Sequence, residues 1–293
     1  ECDLNEVLRQ SEQSGILYNA TMIRQMITHD DITQLPKIRF TGFSDIKPMP
    51  GAELIEALAD SYHHVGLDDT IVVTRSNKRA NIFNQGIRNM VLDREEELSQ
   101  GDILMIVKNN YYWMEEERKK IKEKDNQVPS NDIPAFLANG DRAKVLKVRR
   151  RIDLYGFRFA TLLLQFPDYG NYELEATVLL DTLTSEAPAL THEQQEQLFH
   201  QIEEDYQDVP LKADRMKAIR QDQFYNALQV KFAYAVTCHK AQGGQWAHVY
   251  VDQGYMTDDM LTPDYIHWLY TAFTRATEML YLVNWPETQI ETS

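Results

Sequence analysis

At 293 residues with 43% apolar side chains, the chain is long enough to fill one large core or two modest ones. Its net charge of −15 argues against a surface uniformly suited to polyanions. No apolar stretch approaches the roughly 20 residues that cross a bilayer, and the acidic amino-terminus has no secretory pattern, so the expectation is a cytoplasmic protein without membrane contact. The two cysteines, Cys2 and Cys238, are far apart and lack metal-ligand spacing, which gives a disulfide framework or a zinc site little support.

In chain order, the segment Leu4-Asn5-Glu6-Val7-Leu8-Arg9-Gln10 taken alone is a helix lead with Arg9 as an exposed charge. A helical pattern starts near Ser14 and continues over residues 19–26. A second helix is expected over 52–63, where Leu54, Ile55, Leu58, Ala59 and Tyr62 share one face. Ile71-Val72-Val73-Thr74 suits a buried parallel strand. It leads through Thr74-Arg75-Ser76-Asn77 into a helix over 78–92, which is either an anion-friendly helix start or simply an N-cap at Ser76 or Asn77.

The middle changes character. A strand opens at 101–107, and Tyr111-Tyr112-Trp113 is an aromatic cluster that serves either as core or as a stacking platform. Residues 115–132 read as a charged loop. Three β-rich segments follow, 143–149, 157–165 and 172–178, and the turns between them predict a small antiparallel barrel. Basic residues crowd 142–151, as a DNA-guiding surface or a solvated strand face. Two acidic helices are expected over 191–206 and 211–228, the first with a capping box from Thr191 and Gln194.

From residue 230 the α/β pattern resumes: strand, polar loop, strand, helix, strand. The loop Thr237-Cys238-His239-Lys240-Ala241-Gln242-Gly243-Gly244-Gln245-Trp246 offers a hydroxyl and an imidazole at alternate positions, and glycines that let backbone N–H groups approach an anion. The helix with Ile266, Leu269 and Phe273 on its apolar face ends at Thr274-Arg275. An arginine there is a capping or surface cation, or a rigidly held guanidinium that neutralises a transferring phosphoryl group.

Taken in order, the Arg9 segment, Thr74 to Asn77, Thr237 to Trp246 and Tyr270-Thr271-Ala272-Phe273-Thr274-Arg275-Ala276-Thr277 resemble successive motifs of the second RecA-like domain of superfamily 1 helicases. The His-Lys-Ala-Gln-Gly wording and the inserted barrel look more like RecD-type enzymes than UvrD-type ones. The fold implied is an α/β, RecA-like parallel sheet in two pieces, 1–97 and 230–293, interrupted by an SH3-like barrel over 98–185 and a helical connector over 186–229. The resemblance implies Arg9 and Arg275 as catalytic arginine fingers. It implies contacts with single-stranded DNA from Thr74, Arg75, Asn77, Thr237, His239 and Lys240, nucleotide contacts from Gly243, Gly244 and Gln245, and 5′ to 3′ travel. Many relatives carry glutamate near the nucleotide ribose where this chain has Gln245, so the nucleotide preference is left open.

No Gly-x-x-x-x-Gly-Lys-Ser/Thr phosphate loop occurs, nor an Asp-Glu pair ending an apolar strand. ATP and Mg2+ are therefore expected to sit mainly on a preceding RecA-like domain, with no cofactor or metal bound by this fragment alone. On this reading the chain is the carboxyl-terminal piece of a helicase, inactive by itself, whose partners are that domain, single-stranded DNA and subunits of repair or recombination machinery of the exodeoxyribonuclease V kind. A non-catalytic DNA-binding or scaffold module is the rival. A nuclease is disfavoured, since no compact Asp/Glu/Lys set has metal-binding spacing.

Overall fold

The computed structural model describes residues 13–29, 32–123 and 134–291. The chain divides into two compact units, Glu1–Arg94 with Tyr234–Ser293, and Glu95–Ala233.

The first unit is a five-stranded sheet in the order β1-β10-β9-β2-β8, with every pairing parallel. Its strands are β1 (Ile46–Met49), β2 (Thr70–Thr74), β8 (Ala235–Thr237), β9 (Trp246–Asp252) and β10 (Ala276–Val283). Every residue of β2 is buried, as a central parallel strand covered on both faces requires. β1 lies at the edge, which is where its Pro48 is tolerated, because proline cannot donate to a ladder. Helix α1 (Gly15–Thr28) starts from Ser14, whose hydroxyl accepts from the Leu17 amide at 3.1 Å. It packs against α8 (Pro263–Phe273) and β10.

Alternation along β9 sorts the layers. His248 and Tyr250 reach Ser61 of α2 (Leu54–His64), and Asp252 reaches Arg79 of α3 (Asn77–Gly86). Val249 and Val251 between them point the other way and are wholly buried. The helix expected to continue to residue 92 changes form after Gly86: residues Ile87–Val91 make a π-helical turn, and Asp93 then takes a positive φ of 53°.

The second unit is built on a closed barrel of β3 (Ile103–Ile106), β4 (Arg142–Leu154), β5 (Phe157–Phe166), β6 (Tyr172–Leu179) and β7 (Leu228–Phe232). Its neighbours are antiparallel except β6 and β7, because two helices intervene and return the chain in the same direction. This redraws the expected division. β7, assigned from sequence to the second α/β piece and the connector, closes the barrel. Helices α5 (His192–Asp205) and α6 (Lys212–Arg220) bury Leu198, Ile202 and Ile219 against Phe157, Phe159 and Leu179, so they belong to the barrel's core rather than linking two domains. The capping box on α5 is present, with Gln194 N–H donating to Thr191 at 3.2 Å and Thr191 N–H to Gln194 at 3.0 Å. The second acidic helix ends at Arg220, short of the expected 228.

The charged stretch read as a loop from 115 begins as helix α4 (Tyr112–Glu123), supported by the one-turn pairs Glu116–Lys119 and Glu117–Lys120 at 2.6 and 2.7 Å. The aromatic cluster divides. Trp113 is core, donating from its indole to the Asn226 carbonyl at 2.9 Å, while Tyr111 is 53% exposed and stacks on Phe136. In β4, register irregularities at Val145/Lys147 and Val148/Arg150 break the inward–outward alternation, which leaves Arg149, Arg150 and Arg151 exposed in succession. Arg149 pairs with Glu175, and Arg151 with Glu96 and the Leu98 carbonyl.

Candidate functional site

The register of the parallel sheet sets Thr74, Thr237 and Asp252 side by side at the carboxyl ends of β2, β8 and β9. This is the edge along which open α/β sheets bind ligands. α3 starts here: Ser76 is its N-cap and accepts from the Arg79 amide at 3.2 Å, leaving Asn77 as the first helical residue. Arg75 is exposed, with its guanidinium on the Met256 sulfur at 2.5 Å and over the Tyr265 ring at 5.2 Å.

One expected contact residue is not available at this edge. Thr74 is fully buried, and its hydroxyl donates to the Ser76 carbonyl at 3.1 Å, so it braces the turn into α3 rather than facing an incoming strand. Sequence reasoning also missed a pair that belongs here. Arg79 donates to both carboxylate oxygens of Asp252, at 2.7 and 2.8 Å, and the Asp252 side chain is only 3% exposed. The hydrogen bonds to Asp252 raise the Arg79 pKa above its usual value. The available signal was an aspartate ending the apolar run Val249-Tyr250-Val251.

Beyond Thr237 the chain does not stay extended. Thr237 is the N-cap of a single helical turn, α7 (Cys238–Ala241), so strand-like alternation of Thr237 with His239 does not apply. His239 is exposed; Lys240 is half-buried, and burial lowers its pKa. Cys238 is buried, its thiol pushed up to about 11 by desolvation, with a weaker opposing pull from Arg275.

The glycines come next, at the start of β9, where Trp246 aligns with Ala276. Gly243 has φ +83°, a left-handed conformation that glycine adopts without a Cβ clash. A Cβ on Gly244 would lie 2.3 Å from the Trp246 ring. The Gly244 amide donates to Ala241 at 3.2 Å, so this N–H is already engaged within the loop. Gln245 is exposed.

Arg275 lies directly against this loop. Its Nη1 donates to the Gly244 carbonyl at 2.9 Å, its Nε to the Thr271 carbonyl at 3.0 Å and its Nη2 to the Thr274 hydroxyl at 3.2 Å, while the Trp246 amide donates to the Arg275 carbonyl at 2.9 Å. The fold thus makes two groups of the expected site residues at opposite ends of β9. Arg75, Asn77 and Thr237 gather at its carboxyl end; Gly243, Gly244, Gln245 and Arg275 gather at its start. Arg9 lies outside the described residues.

Residues 232–283, which span the loop from Thr237 and the helix ending at Arg275, match the family model of the UvrD-like helicase C-terminal domain. Over that stretch the chain is similar to a helicase C-terminal domain. No curated protein matches the chain in sequence. Among solved structures it is similar to the Pif1 helicase from Candida albicans, at 13% identity and a TM-score of 0.37, over 77% of this chain and 47% of that one. The chain therefore spans about half the length of that helicase structure. The matched stretch begins in β7 of the barrel and ends with β10 of the parallel sheet.

Proposed function

We propose that this chain is the DNA-gripping, arginine-supplying half of an ATP-dependent DNA helicase of RecD type, moving 5′ to 3′, with a barrel of the SH3-like kind inserted in its motor domain. The observation that carries the reading is the bond from Arg275 to the Gly244 carbonyl inside the family-matched residues. It ties the helix-end guanidinium to the loop that follows Thr237, so a shift of that loop moves the arginine. On nucleotide binding, Arg275 exchanges the Gly244 and Thr271 carbonyls for phosphoryl oxygens, and Arg9 supplies the second guanidinium. Single-stranded DNA lies along Arg75, Asn77, Thr237, His239 and Lys240. Gly243, Gly244 and Gln245 border the nucleotide.

Phosphoryl transfer also needs a phosphate cradle, a metal ion and an oriented water, and an arginine finger accelerates only when these are present. The sequence contains no phosphate loop, so ATP and Mg2+ are held by a partner RecA-like domain, and this chain alone neither hydrolyses ATP nor unwinds DNA. In protein that joins the two domains, Arg275→Ala lowers DNA-stimulated ATP turnover by roughly 10³-fold or more while nucleotide affinity is retained. Unchanged turnover removes the finger role. Turnover by this chain alone contradicts the division of labour.

A further inference from the structure

The barrel unit contains a cavity of about 210 Å³ whose wall includes Lys108, Asn109, Tyr112, Gln195 and Gln229. Its polar lining is biased toward donors. Lys108 Nζ has one partner among the described residues, the Gln195 Oε1 at 2.9 Å, and two of its N–H groups remain. Gln229 is only 7% exposed; its Oε1 accepts from the Leu190 amide at 2.9 Å, and its NH2 has no partner among the described residues. Gln195 likewise gives its oxygen to Lys108, and Asn109 gives its oxygen to the Asn139 amide at 2.7 Å. Three amides thus spend their acceptors on the protein and keep their NH2 groups. Two lining amides differ: Asn226 donates to the Arg220 and Asp222 carbonyls, each at 2.8 Å, and keeps its oxygen, and Asn110 donates to the Asn226 carbonyl at 2.9 Å while accepting from the Trp113 amide at 3.3 Å.

The backbone adds the same sign. Tyr112 is the first residue of α4 and Gln195 lies in the first turn of α5, so two helix amino-termini, each carrying partial positive charge, meet the cavity. Two of the nearby carboxylates are engaged: Glu116 with Lys119 at 2.6 Å, and Asp222 with the Tyr206 hydroxyl at 2.9 Å and the Phe224 amide at 2.7 Å. Lys108 is exposed as a residue, and partial desolvation by the cavity wall lowers its pKa, an effect that an arriving anion would oppose.

We propose that this cavity binds a small free oxyanion with a phosphoryl or carboxylate head, held by Lys108, Gln195 and Gln229. A long polyanion is the poorer fit, because Glu115, Glu193 and Glu196, all exposed, flank the same two helix starts and repel an extended strand.

The test titrates the chain with inorganic phosphate, malonate and an oligothymidylate lacking terminal phosphates, each at constant ionic strength in potassium chloride, by calorimetry. Saturable binding of phosphate or malonate is expected, and the better of the two identifies the head group. Lys108→Gln should weaken it by about tenfold or more, the loss of a charge-assisted hydrogen bond. Gln195→Glu guards against a merely unfolded variant: it sets a carboxylate opposite Lys108, in the anion's place, so binding should vanish while the melting temperature holds or rises. The proposal fails if neither small anion binds saturably, if both variants bind as the parent does, or if the oligothymidylate alone binds through Lys108.

Discussion

Gly244 shows how one residue's size fixes a site. Its missing side chain lets the loop pass beneath the Trp246 indole, and the carbonyl it thereby presents receives Arg275. Gly244→Ala drives a methyl into a ring held by the sheet, so the loop must move; we expect a loss of about 1–3 kcal/mol in urea unfolding, the usual cost of overpacking. Gly243→Ala has open space around it and meets only the left-handed φ, so about 1 kcal/mol is expected. Equal, negligible losses would mean that the ring yields freely. His248 is legible through proton logic. Tyr250 donates its one proton to the Ala57 carbonyl at 2.8 Å, so Ser61 donates to Tyr250, and His248 Nδ1–H donates to Ser61. Desolvation lowers the His248 pKa below the usual 6.5, outweighing Glu278, which acts in the other direction. Between the folded value and 6.5 the unfolded chain binds the extra proton, so stability rises with pH across that window and falls as the solution is acidified below 6.5. His248→Gln, which keeps a donor for Ser61, should flatten that part of the unfolding profile. An unchanged acid slope would assign the dependence to other groups.

At the scale of elements, β8 is the instructive case. It is a three-residue strand at the sheet's edge, paired on one side to β2. Asn84 of α3 stands in for the missing neighbour: its Oδ1 accepts from the Ala235 amide at 2.7 Å and its Nδ2 donates to the Ala235 carbonyl at 2.9 Å. Asn84→Ala leaves two buried backbone groups unpaired, so a loss of about 2–4 kcal/mol is expected, together with faster hydrogen exchange at Ala235. Exchange that stays slow would show that the sheet holds β8 without the amide. The same element explains what sequence reading recovers. Ile71-Val72-Val73 and Val249-Tyr250-Val251 announce buried strands by unbroken apolarity, and 52–63 announces a helix by its spacing. α7 is a single turn, too short to set a period, and α4 hides behind a charge run whose stabilising pairs are one turn apart. β7 pairs with β3 and β6 of the barrel and not with the parallel sheet, because a strand pattern does not name its partner. Of the candidate site, motif order named Arg275 and the loop that the fold sets against it, whereas the burial of Thr74 beside Val236 and the Arg79–Asp252 pair depend on contacts between residues distant in sequence.

On the proposed function, the whole molecule has to combine a net charge of −15 with a grip on a polyanion. Nucleic-acid affinity rests on phosphate neutralisation and the counterions it releases, so a chain of this net charge should bind weakly and lose that affinity steeply with salt. Two surfaces compete for the role, one in each unit. At the carboxyl end of β2, Arg75 is exposed beside the start of α3, with cation–π support from Tyr265. On β4, Arg149 and Arg151 are already paired with Glu175 and Glu96, which neutralises two of three successive arginines and leaves Arg150 as the exposed cation between them. The balance favours Arg75. For oligothymidylate binding measured by anisotropy between low and moderate salt, the slope of log affinity against log salt should become shallower by roughly 0.7 in Arg75→Ala, the contribution of one single-strand phosphate contact. Arg150→Ala should leave the slope where it was. The opposite pattern would move the strand from the parallel sheet to the barrel, and the arginines of β4 would then be a guide surface rather than a solvated face.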